Sequence, residues 1–334
     1  MTAFLARRCF QAFITMLVAV TLVFMAIRIL PGNPLLGRFG QHVDAEQMAE
    51  IRRQQGWDKP LLVQFREFLW QVAVTGDLGT SIHRPLEDVG EELRSRLPDT
   101  IELTIAAMTI ALPIGIGAGV AAAVWRNRFP DYLCMTGSLL GVSIPVFFLA
   151  ICLRAIFSGM PTSQRLPQEM MLEFEPLTGF YLVDTLVRGR VEWFFESLRH
   201  LFLPALALSS IPTAIIARIT RSSMLEVMSS DYVRTARAKG CAPWRVVWRH
   251  AFPSASVPIA NIAGFQIGLL LSGAVLTETV FDWPGLGKYI IDAVPGNDYP
   301  IVQAGAMVVA VVFILTNLIL DVVYMWLDPR IRIN

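Results

Sequence analysis

Asp282-Trp-Pro-Gly-Leu-Gly-Lys-Tyr289 is the stretch that comes nearest to a phosphate cradle. It has Gly287-Lys288 but lacks the leading glycine and the hydroxyl that would reach magnesium, so the chain is expected not to hydrolyse ATP itself. The other reactive residue types are scattered. Histidines stand at 42, 83, 200 and 250 without HExxH spacing, and no metal site is expected. Gly141-Val-Ser143-Ile-Pro145 lacks the closing glycine of a nucleophile elbow, and no strand precedes Gly115-Ile-Gly117-Ala-Gly119, so its dinucleotide-like spacing is accidental. Cys9, Cys134, Cys152 and Cys241 form no CxxC pair and read as free thiols. No catalytic residue is assigned.

What remains is a surface. From Ser229 to Pro253 the chain is basic and helix-forming: Ser230 or Asp231 can cap a helix, Ala236 and Ala238 favour it, and Gly240 can end it in the left-handed conformation. Pro243 then suits the first turn of another helix. Two short helices should meet at a glycine corner, with Tyr232, Ala236 and Lys239 sharing a face. Such a corner can dock a partner, or it can be a basic loop that obeys charge rules alone.

The elements that hold this loop are membrane spans. Hydrophobic residues make up 54% of the chain and charged ones 16%, against about 25% in soluble domains, and the mean hydropathy is +0.53. A net charge of +1 gives no reason to expect nucleic acid as a partner. Six charge-poor runs can each cross a bilayer: 9–30, 101–125, 133–157, 201–217, 257–277 and 301–327. The first exceeds the roughly 7–15 apolar residues of a signal peptide and is expected to remain as a span. Arg7 and Arg8, Arg126 and Arg128, the loop with Arg218, Arg221, Arg234, Arg237, Lys239, Arg245 and Arg249, and the tail with Arg330 and Arg332 all fall on one side of a six-span chain. The positive-inside rule makes that side, with both termini, cytoplasmic.

Two polar insertions, 31–100 and 158–200, then lie outside, and 218–254 forms the cytoplasmic loop of a single domain covering 1–334. Within the first insertion, Asp44 to Gln55 reads as a helix, as does Pro60 to Val74 with Phe65, Phe68 and Trp70 at helical spacing. Small residues four apart (Gly115 and Gly119, Gly137 and Gly141, Gly264, Gly268 and Ser272) permit close helix contact, while Pro113, Pro145, Pro204 and Pro212 imply kinks. Of the polar groups in spans, Glu102 and Arg154 lie near the ends, and Asn261, Gln266, Asn317 and Asp321 are candidates for lining a pathway. Asp321 could equally pair near the cytoplasmic interface.

The basic loop resembles the coupling motif of permease subunits of ATP-binding cassette importers, written EAA, three residues, Gly, nine residues, Ile, one residue, Leu-Pro. Arg234-Thr235-Ala236 stands in place of EAA, Gly240 matches the glycine, and His250, Phe252 and Pro253 take the last positions. Only Ala236, Gly240 and Pro253 match literally, but Asp231-Tyr-Val-Arg-Thr-Ala-Arg-Ala-Lys-Gly240 is similar to the dipeptide, oligopeptide and nickel branch. So are Leu30-Pro-Gly-Asn-Pro34, Gly76-Asp-Leu-Gly79 with Ser81, Pro176-Leu-Thr-Gly-Phe180, Arg221-Ser-Ser-Met-Leu-Glu226, Leu276-Thr-Glu-Thr-Val-Phe281, Trp283-Pro-Gly-Leu-Gly287, Asp298-Tyr-Pro300 and Asp328-Pro-Arg-Ile331.

The chain looks most like the first permease subunit of dipeptide systems. The resemblance implies an all-α membrane protein with the type I importer permease fold. It also implies a heterodimer with a second permease, two cytoplasmic ATPase subunits that use ATP and magnesium, and an extracytoplasmic substrate-binding protein. This chain would bind no cofactor. Asp231, Tyr232, Arg234, Thr235, Ala236, Arg237, Lys239, Gly240 and Pro253 would couple to the ATPases, and short peptides would be the cargo, with nickel or glutathione as alternatives on the same architecture.

Overall fold

The computed structural model describes residues 2–29, 53, 58–84 and 87–327. Leu30-Pro-Gly-Asn-Pro34, the expected helix from Asp44 to Gln55 apart from Arg53, and the tail with Arg330 and Arg332 lie outside them. Helices make up nearly all of the described chain: α1 (Thr2–Ile29), α2 (Leu61–Trp70), α3 (Val89–Val124), α4 (Phe129–Ser143), α5 (Val146–Ile156), α6 (Gln168–Glu173), α7 (Tyr181–Val187) and α8 (Val191–Met228). Then follow α9 (Asp231–Ala238), α10 (Pro243–Arg245), α11 (Phe252–Gly273), α12 (Val275–Val280), α13 (Leu286–Ala293) and α14 (Tyr299–Leu327).

Among the described residues five helices are long and apolar enough to cross a bilayer, and the α4–α5 pair brings the number to six if it is taken as one broken span. The span expected at 133–157, with a kink at Pro145, is more sharply interrupted than a kink. It is bent by 103° at Ile144-Pro145. The residue before a proline is pushed out of the helical region, and Ile144 is extended at φ −81°, ψ 121°, so a kink becomes a break. Pro113, Pro204 and Pro212 stay inside continuous helices.

α3 has 36 residues and α8 has 38, so each is about 55 Å long, well beyond a hydrocarbon core of about 30 Å. Their ends are polar yet remain helical. Asp88 caps α3 by accepting from the Glu91 N–H at 3.0 Å, and Glu91 and Glu92 complement the helix dipole. The expected fourth span at 201–217 therefore grows at both ends. The sequence could not set these limits because apolar content marks only the part of a helix that lies in lipid.

α3 and α8 pack along their lengths, and the small residues explain why. A Cβ at Gly119 would come within 2.5 Å of the Ala217 carbonyl, and one at Gly115 within 2.9 Å of Ile216. Gly141 faces Ala214 and Gly268 faces the Phe313 ring, whereas Gly137 has nothing within 4 Å and serves no such contact. The main core joins α3, α8 and α11 through Leu103, Met108, Leu208, Ile216 and Ile259. Phe13, Leu22, Leu133, Phe148 and Ile319 are exposed, the pattern of a bundle surrounded by lipid.

Candidate functional site

The basic loop folds as a corner. α9 runs from Asp231 to Ala238, and Gly240 follows at φ +75°. The Cys241 N–H reaches back to the Ala236 carbonyl at 3.2 Å and the Gly240 N–H to Arg237 at 3.0 Å, the paired bonds of a Schellman ending. Positive φ disfavours any residue with a Cβ, yet a Cβ at Gly240 would meet nothing within 4 Å. The strain there would come from the backbone, not from crowding inside this chain.

One local expectation changes. Ser230 occupies the N-cap position, but its hydroxyl donates to the Val227 carbonyl at 2.6 Å at the end of α8, so no side chain caps α9. Of Tyr232, Ala236 and Lys239, which the helical spacing sets along one side, only Ala236 is buried. The buried face is Val233 with Ala236, and it meets Val246, Val247 and Ala251 in the main core. Tyr232 lies outside this face and donates its hydroxyl to Ser254 at 2.9 Å, tying α9 to the first turn of α11. Pro253 follows a π-helical stretch, Val246–Ala251, where the wider turn accommodates a residue without an N–H.

The outward side is cationic and aromatic. Asp231 is 95% exposed and Arg234 pairs with it at 3.2 Å, a surface contact worth little. Thr235, Arg237 and Lys239 are also exposed. Trp244 is 62% exposed and Trp248 50%, with Arg245 over the Trp244 ring and Phe252 against Trp248. Large aromatics left uncovered beside arginines give this side an exposed apolar and cationic patch.

The pathway candidates lie on two helices, α11 and α14. Gln266 is buried in α11, Asn261 is exposed on it, and Asn317 donates to the Phe313 carbonyl of its own helix at 2.9 Å. Asp321 pairs with Arg8 at 3.1 Å, joining the ends of α14 and α1.

At the opposite end of α3 and α8 the loops are tied down by buried polar groups that sequence reading had not assembled. Arg165 bridges Asp99 and Glu102 of α3, lies over the Tyr181 ring at 3.6 Å from its centroid, and donates to the Gly179 carbonyl at 3.1 Å. Glu278 is fully buried and receives the Thr100 hydroxyl at 2.7 Å and the Lys288 N–H at 2.8 Å, at the start of α13. A Cβ at Gly285 would sit 2.3 Å from its carboxylate, which is why glycine is needed there. Burial pushes the Glu278 carboxyl above its ordinary value despite these donors. Burial also acts to raise Asp184, but the Thr178 hydroxyl and the N–H groups of Thr178, Gly179 and Leu177 outweigh it and hold that carboxyl below the usual range. Asp298 accepts from the Ser81 hydroxyl at 2.6 Å and the Ile82 N–H at 3.1 Å. Arg154 adds a bond to the Val280 carbonyl.

A family model described as "Binding-protein-dependent transport system inner membrane component" matches residues 111–333, and a model for the N-terminal part of such membrane components matches residues 1–104. The chain belongs to this family. Among known members of these binding-protein-dependent permeases it is similar to a di/tripeptide transport system permease protein of Pseudomonas aeruginosa, 44% identical over 99% of each chain. A dipeptide transport system permease protein of Alkalihalophilus pseudofirmus is 42% identical over 98% of each. A glutathione transport system permease protein of Salmonella typhimurium is 39% identical over 99% of each. As a permease of this kind the protein is a multi-pass inner-membrane component, and the motif stretches acquire a structural meaning. Pro176 to Phe180, Leu276 to Phe281 and Trp283 to Gly287 meet around Arg165 and Glu278, where they fasten the loops to the ends of the spans.

Proposed function

We propose that this chain is the translocating subunit of an importer of di- and tripeptides. It pairs with a second permease and is driven by two ATPase subunits that hold ATP and magnesium. The observation that carries the coupling role is the α9 corner, buried through Val233 and Ala236 and open through Tyr232, Trp244 and Trp248. Because its inner face shares the core of α8 and α11, a push on α9 moves the ends of both spans together. Closure of the ATPases then shifts the bundle between inward-open and outward-open states, a two-state element biased by a ligand.

The insertions at 31–100 and 158–200 receive the substrate-binding protein, and both termini are cytoplasmic. A membrane-impermeant maleimide should label Ser163→Cys and Ser95→Cys, both exposed positions, in intact cells. Native Cys241 should react only in inverted vesicles. Labelling of Ser163→Cys from the cytoplasmic side alone would reverse the orientation.

The peptide cargo rests on the full-length relatives named for di- and tripeptides, and the Salmonella relative keeps glutathione as a second reading. Uptake of radiolabelled dialanine should be saturable and should be competed by unlabelled di- and tripeptides. Glutathione or nickel in the same excess should leave most of it. Uptake of glutathione or nickel that dipeptides cannot compete would contradict the assignment.

A further inference from the structure

A polar cavity of about 320 Å³ lies between α1, α2 and the start of α14, at the end of the bundle that carries the outer insertions. It is separate from the α9 corner. Arg28, Asp77, Gly79, Tyr299 and Gln303 are in its lining, so the Gly76-Asp-Leu-Gly79 and Asp298-Tyr-Pro300 stretches form part of its wall. Its volume falls within the roughly 300–1,000 Å³ of small-molecule sites.

The chemistry of the lining is incomplete. Arg28 donates its Nε to Gln64 Oε1 at 3.1 Å and its Nη1 to Gln303 Oε1 at 3.1 Å, with its guanidinium 4.5 Å from the Phe24 ring centroid. Both acceptors are neutral amides. A half-buried guanidinium held by amides and an aromatic ring is positioned but not neutralised among the described residues, and it favours an incoming carboxylate. The Tyr299 hydroxyl is buried in the same lining with no hydrogen-bond partner among the described residues, and an orphaned buried hydroxyl is costly unless a ligand or water completes it. Asp77 supplies the opposite sign. Its carboxylate accepts from the Gly79 N–H at 2.8 Å and from Gln71 Nε2 at 3.3 Å, while the nearby Glu67 is already paired with Lys59 at 2.8 Å.

We infer that this cavity is a receiving site for a short zwitterionic peptide, with the carboxylate on Arg28 and Tyr299 and the ammonium on Asp77. The inference rests on the peptide-import reading above and adds a site within this subunit, distinct from the binding protein's own. Fixed charges of both signs in one small cavity select for a ligand with both, and bulk water fills the cavity between loads.

The test is equilibrium binding of radiolabelled dialanine to the purified complex of both permeases and ATPases, without the binding protein. Saturable binding is expected, weakened about tenfold or more by Arg28→Met and several-fold by Tyr299→Phe. Tyr299→Phe removes only a hydroxyl that bonds nothing among the described residues, so it should leave the thermal denaturation midpoint unchanged, and a purely structural role predicts no effect on binding. N-acetyl-dialanine amide, which lacks both charges, should not compete. Absence of saturable binding, equal binding by wild type and Tyr299→Phe, or binding of dihexanoyl-phosphatidylethanolamine in place of any binding of dialanine would each overturn the site. Binding-protein-dependent uptake by the same wild-type complex separates the two claims: uptake without binding removes this site alone, and loss of dialanine uptake removes the peptide reading.

Discussion

Replacing Arg165 with Met is expected to destabilise the folded permease by roughly 3–5 kcal/mol, because it leaves two acids buried without their cation. Arg165 is 2% exposed, and its guanidinium lies between Asp99 and Glu102, which are themselves buried. Loss of one partner from a buried ionic group exposes the full desolvation penalty of the others, and here the two remaining carboxylates also repel each other. The damage should spread. The Gly179 carbonyl is held by Arg165, and Glu102, which accepts the Leu182 N–H at 2.8 Å, loses its cation, so the segment around the start of α7 loses one anchor outright and the counter-charge of another. A thermal melt of the purified permease pair should show the midpoint falling by several degrees, with Asp99→Asn and Glu102→Gln added to Arg165→Met restoring most of it. A single variant that melts with wild type would show that the triad contributes nothing.

That cluster also shows where sequence reading ends. The spans were legible because lipid demands long apolar runs, and the basic corner because Gly240, Pro243 and a run of arginines stand together in about twenty residues. Arg165 meets partners more than 60 positions away, and Thr100 meets Glu278 across 178. Each of these reads alone as an ordinary polar residue near a span. One signal was available: Glu278 is followed at short range by Gly285 and Gly287, the spacing of an acid that must reach the start of the next helix. The break at Pro145 was underestimated for a related reason, since a proline in an apolar run announces a bend but not its angle. Which face of α9 packs was not legible because helical spacing alone allows several faces, and the core selects Val233 and Ala236. Arg28 and Tyr299 were passed over because one closes a span and the other opens one, positions where polar residues are expected.

The second large effect concerns Gly240. Leucine there must hold φ near +75°, which costs about 1–2 kcal/mol for a residue with a Cβ, yet the chain itself offers no atom within 4 Å to clash with. Alanine carries nearly the same backbone strain as leucine, while asparagine tolerates the left-handed region better. If α9 is a free surface, the three variants should therefore behave almost alike and import should continue. If an ATPase sits against the corner, the bulk of leucine adds a clash that alanine lacks. The bundle should still insert, because α3, α8 and α11 pack through other residues.

The deciding measurement is affinity purification of the permease pair carrying Gly240→Ala, Gly240→Asn or Gly240→Leu, with quantification of retained ATPase subunits and of dialanine uptake. The account predicts normal amounts of membrane-inserted permease in all three. It predicts near-normal ATPase retention with alanine, and with leucine or the nearly isosteric asparagine loss of most bound ATPase and at least about a tenfold fall in uptake. Full retention and wild-type uptake in the Gly240→Leu complex would contradict the coupling role of the α9 corner.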